Sequence, residues 1–338
     1  MEPVRFGNSG LFVSPLCLGT MMFGGQTDFT ESQKIADYCL DNGIFFWDTA
    51  DMYSTGESER FCGRLLKGRR ENVILATKVW AKMKPHPNAQ KLSARNIIRA
   101  CEESLQRLQT DWIDIYYLHL PDHDTPIEET LRAIEDLCRS GKVRYIGCSN
   151  YRAWEIVTML STANQNGWQP ILAVQPPYNL VNRDIEVELL PMTKHHGLGV
   201  ASYSPLARGV LTGKYGSGKV PSRSRLDRND RRFLQAEWRQ QSVEIAEQLR
   251  PLAAEIGGTL GQVATRWAAA NSLIHSVIIG PKTLNQAKES VGAMKLPWTQ
   301  RAEEIIDALV PPGCHSGKAF FDTNYFPVTG RCPVWSSD

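Results

Sequence analysis

The sequence predicts an α/β protein built as a closed (β/α)8 TIM barrel, and three observations carry that prediction. Short apolar runs alternate with helix-length amphipathic stretches along nearly the whole chain. Eight such runs begin roughly thirty residues apart, the length of one βα unit. Within each run apolar and polar residues alternate poorly, as in strands buried on both faces of a parallel sheet. No composition break divides the 338 residues, so one barrel domain is expected over 1–310, followed by a Pro/Gly-rich tail at 311–338.

In chain order, a hairpin comes first: 4–6 and 11–13 flank Asn8-Ser9-Gly10, a turn-forming triplet, and could plug the base of the barrel. The barrel strands are expected at 16–18, 44–47, 73–77, 113–118, 143–148, 172–175, 200–203 and 277–279. The first helix should open on a capping box of Thr30 and Gln33 and close at Gly43. The stretch 93–108 carries Ile97, Ile98, Cys101, Leu105 and Leu108 at helical spacing. Pro126 suits a first helical turn, and Gly141 ends that helix. His195 and His196 precede Gly197 at a helix end, where they complement the dipole. Two helices, 242–256 and 262–270, lead to the last strand.

One connection breaks the rhythm. Between Tyr203 and a helix expected near Glu237, the chain is rich in Gly, Pro, Ser and charge. Eight bases (Arg208, Lys214, Lys219, Arg223, Arg225, Arg228, Arg231, Arg232) face two acids, Asp227 and Asp230, a local charge of +6 in a protein of net +2. Loops of such length in a compact domain usually act, and this one is built to meet an anion.

Composition excludes other classes. Lys+Arg 38 against Asp+Glu 36 argues against a nucleic-acid binder. No apolar run approaches the ~18 residues of a membrane helix, and Met1-Glu2-Pro3-Val4-Arg5 does not begin a secretory leader, so a soluble, cytoplasmic protein is expected. Eight scattered cysteines without a Cys-x-x-Cys pair read as reduced and mostly buried, with Cys314 and Cys332 the most exposed.

Barrel chemistry gathers just past the C-terminal ends of the strands. There the sequence offers Asp48 and Tyr53, Lys78, His119, Ser149-Asn150, Gln175 and Tyr203-Ser204. A single polar residue at a strand end is ordinarily a cap; four ionisable groups on three neighbouring strands suggest a site. A phenol of pKa ~10 is a poor acid at neutral pH, and an ammonium ~4 Å away can lower it by up to about three units. Burial would strip the lysine of its proton, and Asp48 would hold it charged. His119 would orient a substrate oxygen. Together these groups could deliver a proton to a developing alkoxide, with hydride left to a cofactor.

Competing motifs are weaker. The run 213–219 has P-loop spacing, but Val220 and Pro221 replace the magnesium-binding hydroxyl and the start of a helix. No Gly-x-Gly-x-x-Gly follows a strand. His119, Asp122, His123 and Asp124 are interrupted by Pro121 and lack a second cluster, so no metal is expected. A Schiff base on Lys78 would leave Tyr53 and the basic loop without a part.

From Val4 to Met294 the sequence resembles the aldo-keto reductase superfamily, in the branch of bacterial and fungal reductases and potassium-channel β subunits. The resemblance rests on Asp48-Thr49-Ala50-Asp51-Met52-Tyr53, Ala76-Thr77-Lys78, Tyr117-Leu118-His119, Gly147-Cys148-Ser149-Asn150, Val174-Gln175-Pro176 and Tyr203-Ser204-Pro205-Leu206. It implies the barrel fold and NADP(H), bound extended across the rim, with NADPH preferred over NADH. Tyr53 is then the general acid, Lys78 its pKa-lowering neighbour, Asp48 the lysine's partner and His119 the orienting donor.

Ser149, Asn150 and Gln175 would hold the nicotinamide carboxamide, with Tyr203 stacked on its ring. Thr20, Met21 and Gln26 resemble further cofactor contacts. The basic loop becomes an extended clasp over the pyrophosphate through Ser204, Leu206, Arg208 and Lys214. Gly280, Lys282, Gln286, Glu289 and Ser290 match the adenosine end, where the family's Glu-Asn reads Glu289-Ser290. The arginine for the 2′-phosphate is Arg225 in one register and Arg223 in the other, with Arg225 favoured.

The substrate would be a small-molecule carbonyl, an aldehyde or bulky ketone, or the alcohol, with no nucleic-acid or membrane partner and self-association left open. Met22, Phe23, Met52, Trp80 and His123 are expected around its pocket. The alternative implied by the channel subunits is an NADP(H)-binding regulatory protein with slow catalysis, against which His119 speaks.

Overall fold

The structure is a computed structural model that describes residues 1–317 except Ser217, Lys219 and Arg223, and only the backbone at Arg232. The tail aromatics Phe320, Phe321, Tyr325, Phe326 and Trp335, together with Cys332, lie outside the described residues.

A two-stranded antiparallel hairpin, β1 (Val4–Arg5) and β2 (Phe12–Val13), precedes the barrel. The barrel strands are β3 (Leu16–Gly19), β4 (Phe46–Asp48), β5 (Ile74–Val79), β6 (Ile113–Leu118), β7 (Val143–Ser149), β8 (Ile171–Gln175), β9 (Gly199–Ser202) and β10 (Ser276–Ile279). All pairs are parallel, each strand lies beside the next, and β10 returns to β3, which closes the eight-stranded ring. This is the expected (β/α)8 barrel, with strand bounds shifted by one or two residues.

The helices are α1 (Phe29–Asp41), α2 (Glu57–Leu66), α3 (Ala94–Leu108), α4 (Ile127–Arg139), α5 (Ala153–Asn166), α6 (Leu189–His196), α7 (Arg231–Ala236), α8 (Gln240–Gln248), α9 (Arg250–Glu255), α10 (Leu260–Ala270), α11 (Leu284–Ala293) and α12 (Gln300–Leu309). None of the described helices is long and apolar enough to cross a membrane.

Two apolar layers hold the barrel. Between strands and helices lies the larger one, to which Leu16, Trp47, Leu75, Ile97, Ile134 and Val200 belong. Inside the ring, Cys17, Phe46, Ala76, Ile115, Tyr117, Ala173 and Ala201 pack on Phe6, Leu11 and Val13 from the hairpin. Phe6 meets the rings of Phe46 and His275 edge-on at 5.9 and 5.7 Å, so the hairpin does plug the base. Above it the Tyr117 ring fills the bore because residue 147 is glycine; a Cβ there would lie 2.4 Å from that ring.

Several local expectations are corrected. The first helix is capped by Asp28, whose side chain accepts from the Glu31 amide at 2.9 Å, so helix α1 begins before Thr30. Ile98 on α3 is 40% exposed and belongs to no core face. The expected helix 242–256 is two helices, with Pro251 in the first turn of the second. The long basic loop carries a 3-10 turn at Ala207–Thr212 and the short helix α7. Every described cysteine is free, and Cys314 is exposed as expected.

Candidate active site

Strand register assembles the site. Asp48 ends β4, Lys78 lies near the end of β5 beside Tyr117, and the His119 amide donates to the Val79 carbonyl at 3.0 Å just past β6. Tyr53 opens the short turn Tyr53–Gly56 that follows β4. Lys78 is wholly buried and donates to Asp48 Oδ1 at 2.5 Å, the Thr49 carbonyl at 2.8 Å and the Tyr53 hydroxyl at 3.1 Å. The Tyr53 and His119 rings stand edge to face, 6.0 Å apart. All four expected residues are thus gathered at the C-terminal mouth of the barrel.

Their electrostatics depart from expectation in one respect. Burial works to deprotonate Lys78, but Asp48 and Tyr53 outweigh it and hold the ammonium above its usual range. For Tyr53 the balance runs the other way: burial raises the phenol above its ordinary value although Lys78 pulls it down. The expected net lowering is overturned because burial outweighs the pull of Lys78, and the Asp48 charge adds to burial. At neutral pH the half-buried phenol therefore holds its proton and can give it.

A second ring of amides braces the tetrad. Gln175 Nε2 donates to Asp48 Oδ2 at 2.8 Å, and Ser149 Oγ donates to the Gln175 carbonyl at 2.8 Å. Asn150, at φ 66°, donates to the His119 carbonyl at 2.9 Å and accepts from the Tyr203 hydroxyl at 2.8 Å. Further positive-φ residues at the same mouth are Ser54, Thr55, Ser204, Ala207 and Arg208, strain of a kind that clusters at functional sites.

Basic groups converge beside this mouth. Lys282 donates to Gln26 Oε1 at 2.6 Å, and its own amide donates to Gln286 Oε1 at 2.8 Å. Burial and the charges of Arg228, Arg225 and Lys214 push the Lys282 ammonium down to about 8. Burial, Arg225 and Arg228 lower Lys214 as well. Arg225 pairs with Asp230 at 2.6 Å; Arg223 lies outside the described residues. Arg228, one of the eight bases of that loop, joins this cluster. Met21 and Gly280 are exposed at the rim, and Ser204, Leu206, Arg208 and Ser290 are half-buried there. Glu289 accepts from Thr259 Oγ1 at 2.6 Å.

Some expected residues are placed otherwise. Thr20 is fully buried, its hydroxyl held by the Asp48 carbonyl and Ser58, so it has no surface to offer a cofactor. Phe23 is wholly buried in the outer core, and Met22 is 6% exposed. The first βα loop turns both inward through the Phe23 amide to the Thr20 carbonyl and the Thr27 amide to the Met22 carbonyl. Met52 is exposed at the mouth, and Trp80 donates to the Pro121 carbonyl at 3.1 Å. His123 is largely exposed beside Glu155, 2.7 Å away, while Asp122 accepts from the Leu92 amide and Thr125, which ties a loop.

The sequence profile of the aldo/keto reductase family matches residues 15–311, the whole of this barrel. The chain belongs to the aldo/keto reductase family. It is 37% identical to an uncharacterized oxidoreductase, YrpG, of Bacillus subtilis over 334 residues, 95% of this chain and 99% of that one. It is 36% identical to a probable voltage-gated potassium channel subunit beta of Arabidopsis thaliana over 318 residues, 92% and 94% of the two chains. With the versiconal hemiacetal acetate reductase of Aspergillus parasiticus it shares 32% over 345 residues, 94% of this chain and all of the relative. As an aldo/keto reductase the chain is an oxidoreductase of a family that works with nicotinamide cofactors.

Proposed function

We propose that this aldo/keto reductase interconverts an aldehyde or ketone with its alcohol, with NADP(H) as partner and Tyr53 as the group that moves the proton. The observation that carries the reading is the contact chain Asp48–Lys78–Tyr53, buried beside His119 and joined on the same rim by a basic cluster.

A carbonyl seated between Tyr53 and His119 would accept the phenol's proton as negative charge grows on its oxygen. Lys78, kept charged by Asp48, stabilises the phenolate that remains. His119 orients the same oxygen. Gln175, Ser149, Asn150 and Tyr203 fix the tetrad's posture, so little reorganisation is needed.

The cofactor fits the residues present. Burial, together with repulsion from Arg228, Arg225 and Lys214, lowers Lys282 to about 8, and a 2′-phosphate beside them would relieve that repulsion. When bound, NADPH supplies the hydride. The Lys282 and Arg225 charges favour NADPH over NADH, and Gln26, Lys282 and Gln286 already form one linked edge of the clasp.

A second reading is an NADP(H)-binding regulatory subunit, favoured by the similarity to the plant protein named as a channel β subunit. The test is the absorbance of reduced nicotinamide on mixing purified protein, NADPH and a panel of aldehydes and ketones. Turnover is expected. Tight NADPH binding with no turnover on the panel would transfer the case to the regulatory reading, and no NADPH binding would contradict both.

A further inference from the structure

Behind the turn that carries Tyr53 lies a buried carboxyl with no part in the chemistry above. Asp51 is 1% exposed, and among the described residues neither of its carboxyl oxygens has a hydrogen-bond partner. An ionised carboxylate so placed is costly, and keeping its proton is the usual escape.

Its neighbours come from every element around it. From β5, Lys78 accepts the Asp51 amide on its carbonyl at 3.3 Å. From α2, Glu59 is fully buried and accepts from Thr77 Oγ1 and from Arg107 Nε, both at 2.6 Å. From α3, Arg107 also approaches Glu103 at 3.9 Å. From β6, the buried Tyr116 hydroxyl has no hydrogen-bond partner among the described residues. Lys78 is matched by Asp48 and Arg107 by Glu59, so an ionised Asp51 would be a surplus negative charge.

The same group braces the catalytic turn. Ser54, Thr55 and Gly56 follow one another at φ 49°, 55° and 90°, a strained run that persists only where its surroundings hold it. A Cβ on Gly56 would lie 2.9 Å from Arg107 Cδ, so the arginine stem packs directly on this turn.

We propose that Asp51 is kept as a neutral carboxylic acid, in a buried set with Glu59 and Arg107, and acts as a positioning residue for the tetrad. While it holds its proton, Lys78 and Tyr53 sit beside one carboxylate, Asp48. Once it loses the proton, a second negative charge opposes the phenolate that Tyr53 must become. Burial and Glu59 push the Asp51 carboxyl up to about 8, against weaker pulls from Arg107, the Met52 amide and Lys78. The consequence for turnover rests on Tyr53 being the proton donor; the protonation state itself does not.

Infrared difference spectra of the full-length protein on either side of pH 8 test the protonation without turnover. The C=O stretch of a protonated carboxyl should be present in wild type on the acid side, vanish on the alkaline side, and be absent from Asp51→Asn. In Glu59→Gln, which removes the repelling neighbour and releases Arg107 to Asp51, the band should titrate about one pH unit or more lower. The pH profile of kcat for carbonyl reduction should show a fall through pH 8 that Asp51→Asn lacks.

No such band in wild type, or the same band in Asp51→Asn, would overturn the proposal. So would a kcat profile that Asp51→Asn leaves unchanged. A protein with the expected band and no turnover would contradict the reductase reading and leave the neutral Asp51 standing.

Discussion

The tetrad and the basic clasp share one rim of the barrel but are built on opposite electrostatic plans. In the tetrad every full charge has its match: buried Lys78 lies between Asp48, the Thr49 carbonyl and the Tyr53 hydroxyl. In the clasp Lys214, Lys282, Arg225 and Arg228 crowd together, and of these Arg225 pairs with Asp230. Burial keeps Lys78 charged through a partner, whereas burial and like charges together push Lys282 toward losing its proton. The tetrad is thus matched in the folded chain, whereas the clasp carries unbalanced positive charge that, on the proposed function, an anion would complete. On that function, the one would serve chemistry and the other capture.

The largest expected effect comes from breaking the tetrad's match. Lys78→Met leaves Asp48 buried without its cation, which should lower stability by about 3–5 kcal/mol. Turnover should fall by about 10³-fold or more, since both the proton donor's neighbour and its field are lost. Thermal melting and steady-state kinetics check both halves. A variant that loses turnover with unchanged melting would show that the pair matters to chemistry alone.

A smaller and opposite signature belongs to the clasp. Lys282→Ala should weaken NADPH about 10- to 100-fold, the worth of one charge-assisted contact, and leave NADH and melting nearly untouched. Fluorescence titration with each cofactor reads this directly.

The smallest effect is one of pH. Lys282 is charged below about 8, so wild-type NADPH affinity should weaken as pH rises through that value, by at most about tenfold per unit. Affinity should also weaken below the second ionisation of a phosphate, near ~6. The alkaline decline should be absent in Lys282→Ala. A flat wild-type profile between pH 7 and 9 would place the 2′-phosphate away from Lys282.

How far the sequence reveals this rim follows from the kind of force involved. The strands were legible because burial on both faces leaves apolar runs, and β6 falls at 113–118 as read. The tetrad was legible because strand ends point functional side chains to one mouth. What escaped depended on packing between distant segments. Thr20 and Phe23 face inward because their loop folds on itself, which no spacing reveals. Asp28 rather than Thr30 caps α1 because either residue could, and backbone geometry chose. Asp51 lies inside the segment that identified the site, yet the charges that act on it in its burial, Glu59 and Arg107, are eight and fifty-six positions away.

The central claim is that Tyr53 moves the proton and is not needed to hold the cofactor. Its most direct test is Tyr53→Phe, assayed for NADPH binding by fluorescence titration and for carbonyl reduction under saturating NADPH. The account predicts unchanged NADPH affinity with kcat reduced by about 10²- to 10⁴-fold. Turnover within a few-fold of wild type in that variant would contradict it.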